Sequence, residues 1–571
     1  MIQQEYERWL ACAAEDPDLI PELESIKGNE GEIADRFAVE LEFGTAGLRG
    51  VIGAGTNRMN IYIVRKATQG LANYLNRTPG EHSVAISFDS RIKSDVFSKA
   101  AAEVLAANGI VAHIYPELMP VPALSFATRY LKCDAGIMVT ASHNPSKYNG
   151  YKAYGPDGCQ MTSEAADAVY AEMQATDTFT GVKHIPFAEG LEKGLIRYIG
   201  DEVKEELYKN IEAQSVRPGV CANAGLKLVY SPLNGSGNVP VRRVLKDMGV
   251  KDITIVPEQE FPDGNFPTCP YPNPEIREAL ALGLKLVEAT GADLMLATDP
   301  DADRVGIAVR DHDGSYKLLT GNEVGVLLLD YLCCARIEQG TMPKDPIMVK
   351  SLVSTMMADV VAEHYGVRPI NVLTGFKYIG EQIHLLEVKG EEKRFVLGFE
   401  ESYGYLSGTY VRDKDAIVAS MLIVEMASWY VSQGTSILER LEHLYETFGW
   451  YLNKVESFEF SGLAGMDQMK QIMADLRADG PAAIGGRKVT RVLDYSTHVS
   501  RDVATGEVET IDLPAANVLT WQLEGGAQVI VRPSGTEPKI KVYYSTKGAS
   551  AAESAAAQAA CAADMHRLLG R

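Results

Sequence analysis

The chain reads as an α/β protein of three consecutive mixed or parallel α/β units plus a smaller C-terminal α+β domain, around a central cleft. Three observations carry this. Strand-like and helix-like segments alternate in three successive rounds. Each round ends in a short apolar strand followed by an unusual polar loop, at Ser142, Asp299 and Glu400. The last part of the chain breaks the rhythm with consecutive strands and a long Ala-rich helix. At 571 residues the chain exceeds what one core supports, and the domains are expected at 1–205, 206–320, 321–435 and 436–571.

In the first unit, Val84–Phe88 reads as a strand, and Ser94 is placed to cap a helix ending at Gly109. Val111–Tyr115 is a second strand, Leu124–Leu131 a helix and Ala135–Val139 a third strand. This β-α-β-α-β order favours a parallel sheet. The second unit repeats it with Leu226–Tyr230, Val239–Met248, Ile253–Val256, Pro274–Ala289 and Leu294–Ala297. The third does so with Ile347–Val349, Thr355–His364, Ile370–Leu373, Ile379–Val388 and Phe395–Leu397. The C-terminal part gives strand Glu456–Phe460, helix Met466–Leu476, strands Val489–Asp494, Val518–Leu523 and Gln528–Val531, and helix Ala549–Leu569. Arg501–Asp512 reads as a surface hairpin. Ligands of open α/β sheets bind beyond the carboxyl ends of strands, so three such ends could share one cleft.

Composition excludes several classes. Net charge is −21, from 55 basic and 76 acidic residues, so nucleic acid and anionic membrane are not expected partners. An anionic ligand then needs a local basic pocket. Eight scattered cysteines with no C-x-x-C pair indicate neither zinc knuckle nor redox dithiol, and suggest a reducing cytosol. The first residues lack the basic and apolar blocks of a signal peptide. The richest apolar run, Val324–Leu332, is too short to span a bilayer. A cytoplasmic location is expected.

Four loops carry the chemistry. Thr140-Ala141-Ser142-His143-Asn144-Pro145 puts a hydroxyl beside an imidazole at the end of a buried strand. Serine needs a base or a metal-bound phosphoryl partner to react, and His143 and Lys152 are both close in sequence. Asp299-Pro300-Asp301-Ala302-Asp303-Arg304 places carboxylates at alternate positions, which share one face if the segment is extended. A hard divalent cation, Mg²⁺, resolves their repulsion. An EF-hand is excluded, because Arg304 stands where glycine is required and Arg310 where the bidentate glutamate belongs.

Gly398-Phe399-Glu400-Glu401-Ser402-Tyr403-Gly404 is the third loop, with Glu400 and Ser402 expected on one face to accept from and donate to vicinal hydroxyls. Arg412-Asp413-Lys414-Asp415 follows it and either adds basic groups to the same cleft or starts a charged helix. The fourth loop is Arg532-Pro533-Ser534-Gly535-Thr536-Glu537-Pro538-Lys539, where a forked guanidinium, two hydroxyls and a glycine suit a phosphate. Asn234-Gly235-Ser236-Gly237-Asn238 mimics a dinucleotide fingerprint, but Pro240 occupies the third glycine position, so NAD is rejected.

Together, in this order, the four loops resemble those of the α-D-phosphohexomutase superfamily, and the resemblance spans essentially the whole chain. The spelling of the metal and sugar loops is similar to the branch that holds many bacterial phosphoglucomutases and the phosphopentomutase-like enzymes. The resemblance implies four domains with one loop each at the cleft and a phosphorylated Ser142. It implies Mg²⁺ on Asp299, Asp301, Asp303 and a phosphoserine oxygen. Glu400 and Ser402 would grip sugar hydroxyls, while Arg532, Ser534, Gly535 and Thr536 would hold the phosphate already on the substrate. Gly44-Thr45-Ala46-Gly47-Leu48-Arg49 matches the N-terminal loop of the family and places Arg49 near the phosphoserine. Lys152 matches a lysine near the transferred group; Thr374, Gly375 and Lys414 match residues lining the substrate side, where Arg304 is also expected.

The expected reaction interconverts glucose 1-phosphate and glucose 6-phosphate, with glucose 1,6-bisphosphate as intermediate and activator. The expected partner is a phosphosugar, and the expected state a monomer or weak homodimer. The loops read phosphate and hydroxyls generically. Ribose, deoxyribose or mannose phosphates, a bisphosphate synthase fed by an acyl phosphate, and a serine-phosphoenzyme phosphatase therefore remain alternatives.

Overall fold

The computed structural model describes residues 2–44, 47–460, 462–534 and 539–570, without the side chains of 462–464. The described residues pack as two compact units. One comprises Met1–Thr320, Ile379–Leu397 and Ser402–Gly434, the other Gly321–Tyr378, Gly398–Glu401 and Thr435–Arg571.

The first unit carries two mixed sheets. One runs in the order Gly47–Val51, Tyr148–Tyr154, Ala135–Val139, Ser83–Phe88, Val111–Ile114, Ile196–Tyr198. Its interior pairs are parallel, and the two strands at the Gly47–Val51 end are antiparallel additions. Ala135–Val139 is buried throughout, as its continuous apolar run requires in a sheet covered on both faces. The other sheet runs Tyr316–Leu319, Val305–Arg310, Leu294–Thr298, Lys227–Ser231, Asp252–Ile255, again parallel at one end and antiparallel at the other. The strands expected here are all present. Tyr148–Tyr154 was not read from the sequence, because its Asn149-Gly150 pair signals a turn.

Three N-terminal helices, Ile2–Cys12, Leu19–Ser25 and Glu30–Phe37, also escaped the sequence reading. They bury Trp9 between the rings of Phe37, Tyr62 and Phe179. The helix Ser94–Ala107 forms, but Ser94 does not cap it. The N-cap is Lys93, left-handed with φ 63°, and the Ser94 hydroxyl is diverted to Asp89. The helix expected at Pro274 begins only at Ala281. Ala416–Ser432 is apolar nearly all round and buried from Ala416 to Ser428, as a core helix must be, and Asp415 caps it by accepting from Ile417 and Val418 N–H. Among the described residues no single helix is long and apolar enough to cross a membrane.

In the second unit, Ile347–Ser351 and Arg368–Val372 pair in parallel. The C-terminal part is one antiparallel sheet in the order Trp450–Glu459, Lys539–Gly548, Ala527–Pro533, Leu519–Leu523, Arg487–Asp494, Val499–Asp502, Val508–Thr510. Helices Gly462–Ala478 and Ala551–Leu568 accompany it, and the expected hairpin is the pair Val499–Asp502 and Val508–Thr510. Its core gathers Trp521, Val529, Val531, Ile540, Val542 and Met565. The whole is thus the α/β type with a C-terminal α+β domain. The eight cysteines are free thiols.

Candidate active site

Strand Ala135–Val139 delivers the first loop. Ser142 stands three residues beyond its last residue, Val139, in the left-handed region at φ 52°. An L-residue held there costs about 1–2 kcal/mol, so surrounding bonds must hold it. Its N–H donates to Thr140 Oγ1 at 2.8 Å. Its Oγ lies 2.9 Å from Asp299 Oδ2 and 3.1 Å from His143 Nδ1. The nucleophile candidate and the acidic loop, far apart in sequence, are therefore in contact.

The acidic loop is not an extended segment, as the alternation of its carboxylates suggested. Ala302 has φ 48° and its N–H donates to Asp299 O, so the chain turns. The turn still converges the three carboxylates: ligand oxygens of Asp299, Asp301 and Asp303 all lie within 4.8 Å of one another, and all three residues are buried. Asp299 Oδ1 accepts the N–H groups of Asp303 and Arg304, which closes the loop on itself. Beneath it sits the stretch that mimicked a nucleotide fingerprint. Ser236 donates both its N–H and its Oγ to Pro300 O. A Cβ on Gly235 would come within 2.5 Å of Pro300 Cα. Those glycines therefore serve close packing against the acidic loop.

Two lysines flank the triad. Lys152 Nζ lies 3.0 Å from Asp301 Oδ2 and 3.8 Å from Asp303 Oδ2. Lys414 Nζ lies 3.2 Å from Asp303 Oδ2 and 3.0 Å from Asp413 Oδ1. Asp413 in turn accepts the Tyr154 hydroxyl at 2.8 Å. Arg304 pairs with Glu275, and its Nε is 3.8 Å from Asp303 Oδ1. Arg49 Nη1 donates to Asn144 Oδ1 at 3.3 Å.

Burial, then the neighbouring carboxylates, push Asp299 and Asp303 above the ordinary range. Asp301 is equally buried, but Lys152 and a hydrogen bond with Asp299 outweigh that and hold it low. Burial, with Arg304 and Arg49 nearby, drives the His143 imidazole well below its usual value, so it is neutral. Two carboxylate oxygens, Asp301 Oδ1 and Asp303 Oδ1, are buried without a hydrogen-bond donor. Buried acceptors of this kind need a partner, and an all-carboxylate donor set suits a hard divalent cation.

Sequence reasoning missed the scaffold of this site. Asp89 and Arg91, beyond strand Ser83–Phe88, are buried with the Arg91 Nε 3.4 Å from Asp89 Oδ2. Asp89 accepts the Thr140 hydroxyl at 2.7 Å, and Thr140 Oγ1 is also 3.1 Å from Asp301 Oδ2. The signal was available, since these residues follow a core strand as Ser142 does.

Ser402 lies in the same unit, in a turn. Glu400 and Ser402 do not share a strand face, because the strand Phe395–Glu400 ends at Glu400 and residues 401–403 turn, with Tyr403 at φ 66°. In the second unit, Glu400 Oε1 accepts the N–H of Gly375 at 2.7 Å, which brings Glu400, Thr374 and Gly375 together. Glu401 is held by Ser351 and Ser354. Arg532 is the penultimate residue of strand Ala527–Pro533 and bonds the Tyr543 side chain, while Ser534 N–H donates to Lys539 O. Gly535 and Thr536, and Thr45 and Ala46 of the N-terminal loop, lie outside the described residues.

Four family models match the chain in order. They are phosphoglucomutase/phosphomannomutase alpha/beta/alpha domain I at residues 40–179, domain II at 205–314 and domain III at 320–448, and the C-terminal domain at 502–562. A phosphoglucomutase of Staphylococcus saprophyticus is 38% identical over 510 residues, covering 89% of this chain and 91% of its own. One from Staphylococcus aureus is 35% identical over 516 residues, covering 90% and 91%. Among solved structures, the open form of parafusin, a phosphoglucomutase from Paramecium, superposes with a TM-score of 0.69 at 18% identity, covering 93% of this chain and 97% of its own. A phosphoglucomutase/phosphomannomutase family protein from Burkholderia thailandensis gives 0.66 at 18%, covering 92% and 97%. Both structural likenesses speak to the fold.

Proposed function

We infer that this chain, which belongs to the α-D-phosphohexomutase superfamily, is an intramolecular phosphotransferase of the phosphoglucomutase type, interconverting glucose 1-phosphate and glucose 6-phosphate. The observation that carries the reading is the 2.9 Å approach of Ser142 Oγ to Asp299 Oδ2, inside a buried triad with two undonated oxygens. Phosphoglucomutases at 35–38% identity support it.

The donor set fits Mg²⁺, which Asp299, Asp301, Asp303 and an oxygen on Ser142 would hold. When bound, the ion supplies positive charge that offsets charge on a phosphoryl group in transfer. The chain's residues do the rest. In the first half-reaction the Ser142 O–P bond breaks, an O–P bond forms on the free sugar hydroxyl, and the proton of that hydroxyl passes to Ser142 Oγ. His143 Nδ1, 3.1 Å from Oγ, is placed to accept a hydrogen bond from the Ser142 hydroxyl once it carries that proton. Arg49 and Lys152 add positive charge on the Ser142 side. The glucose 1,6-bisphosphate so formed turns over and returns its other phosphoryl group to Ser142. Glu400 and Ser402 act on sugar hydroxyls. Thr374, Gly375, Arg304 and Lys414 line the substrate, and Arg532, Ser534, Gly535 and Thr536 hold its resident phosphate. The four domains are proposed at 1–205, 206–320, 321–435 and 436–571, and the enzyme is placed in the cytoplasm as a monomer or weak homodimer.

The test is mutase activity of Ser142→Ala against the wild type, with glucose 1-phosphate, Mg²⁺ and a trace of glucose 1,6-bisphosphate. Complete loss in a folded variant is expected; an active variant refutes the assignment.

A further inference from the structure

The carbonyl oxygens of Ser142, Asn144, Pro145 and Tyr148 all turn toward one side chain. Arg91 Nη2 donates hydrogen bonds to the first two, and Nη1 donates to the last two at 3.0 Å and 3.1 Å. The guanidinium is fully buried. Asp89 holds its Nε side at 3.4 Å, and the ring of Phe266 covers it with the centroid 5.1 Å from Cζ. Phe266 is itself buried. The Asp89 carboxylate also accepts the hydroxyls of Thr140 and Ser94 and the N–H of Arg91. One buried cation thus grips four carbonyls of a single short loop, and its counter-ion grips the residue where that loop begins.

We propose that Arg91 is the positioning residue of the phosphoryl-transfer loop: it holds Ser142 Oγ on Asp299 whether or not Ser142 carries a phosphoryl group. The inference rests on the reading of Ser142 as phosphoryl carrier. The phosphoryl group that leaves in one half-reaction and returns in the other carries a charge of about −1.5 to −2. A loop with Ser142 in a left-handed conformation would relax when that charge arrives or leaves, unless its peptide planes were fixed from behind. Arg91 fixes them. It also turns the negative ends of those peptides away from the incoming group. A planar fork with several donors does this and an ammonium cannot, because Lys offers a single point charge with no rigid geometry. Arg91 touches neither sugar nor phosphate in this account. Its loss lowers turnover while leaving substrate affinity intact.

The test compares the wild type with Arg91→Lys in steady-state kinetics, with glucose 1-phosphate, saturating Mg²⁺ and a trace of glucose 1,6-bisphosphate, alongside thermal melting. Displacing a reacting atom by an ångström costs about 100-fold, so kcat should fall by about that factor with KM unchanged in a folded variant. An unchanged kcat overturns the proposal. So does a loss of kcat that matches only the unfolded fraction. Should Arg91→Lys fail to fold, Phe266→Leu uncovers the guanidinium without removing it. A fall in kcat of about fivefold at constant KM is then expected from the lost ring contact, and an unaltered kcat overturns the proposal. Ser142→Ala separates the two readings. If it is inactive while Arg91→Lys is normal, only the role of Arg91 fails; if it is active, the phosphoryl-carrier reading fails.

Discussion

Ser142 donates its hydroxyl to Asp299 across 157 positions of sequence, Oγ to Oδ2 at 2.9 Å. Burial first, then Asp301 and Asp303, push the Asp299 carboxyl well above the usual carboxylate range. Asp299→Asn keeps the shape of the side chain and removes its charge. In EDTA the variant should melt close to the wild type. With Mg²⁺ at about 100 times its dissociation constant the wild type should gain about 2.7 kcal/mol, and the variant little of it. Equal stabilisation of both by Mg²⁺, read by thermal melting, would remove Asp299 from the metal site.

Lys152 and Asp301 form a buried pair, with side-chain exposures of 13% and 0%. Removing one partner of such a pair leaves an uncompensated charge and costs about 3–5 kcal/mol. Lys152→Met should lose that much in EDTA by urea unfolding. A large part of the loss should return on adding Mg²⁺, which re-supplies positive charge to Asp301. A loss indifferent to Mg²⁺ would mean that the ion does not reach Asp301.

Glu387 ties helix Phe376–Val388 to Arg129 at 2.7 Å and to Arg412 at 2.8 Å. Burial pushes its carboxyl up, and the two guanidinium groups overcome this and hold it at about 2. Its folded value is depressed, so its stabilisation is full above about 4.5 and is lost as pH falls through about 2. The side chain is 38% exposed, so screening reduces the effect to about 1 kcal/mol. Glu387→Gln should therefore be less stable than the wild type at pH 7. The gap should close progressively on acidification below pH 4.5. A gap that widens in acid would reverse the assigned sign.

Gly235→Ala changes no residue assigned to the chemistry. Its Cβ would meet Pro300 Cα at 2.5 Å, so the acidic loop must shift. Activity should fall at least about 10-fold, by the sensitivity of transfer to small displacements, and Mg²⁺ affinity should fall with it. Unchanged activity in the purified variant would show that this packing does not set the loop.

The parts of the site that the sequence made legible are those spelled within single loops. Ser142, His143 and the three aspartates stand in strings short enough to read, and their expected proximity is present. Lys152 and Lys414 are candidates by their place in the chain, one near Ser142 and one just after the third loop, but nothing local says that either reaches the triad, as both do. Arg91 and Asp89 were missed for a related reason: their function lies in contacts with a loop more than fifty positions away. The extended form expected for Asp299–Asp303 failed because Ala302 adopts a positive φ, which residue type does not announce. The shared strand face expected for Glu400 and Ser402 is absent for a similar reason, since the strand ends at Glu400. The N-terminal helices lie ahead of the first strand, outside the strand–helix alternation that makes the rest legible. Their packing on Tyr62 and Phe179 is tertiary.

Peptide mass mapping of the enzyme after incubation with glucose 1,6-bisphosphate reads the phosphoryl carrier itself. The expected result is one phosphoryl group on the peptide containing Ser142, discharged when glucose 1-phosphate is added. A mutase-active enzyme with that peptide unmodified throughout, or with the group on another residue, would contradict it.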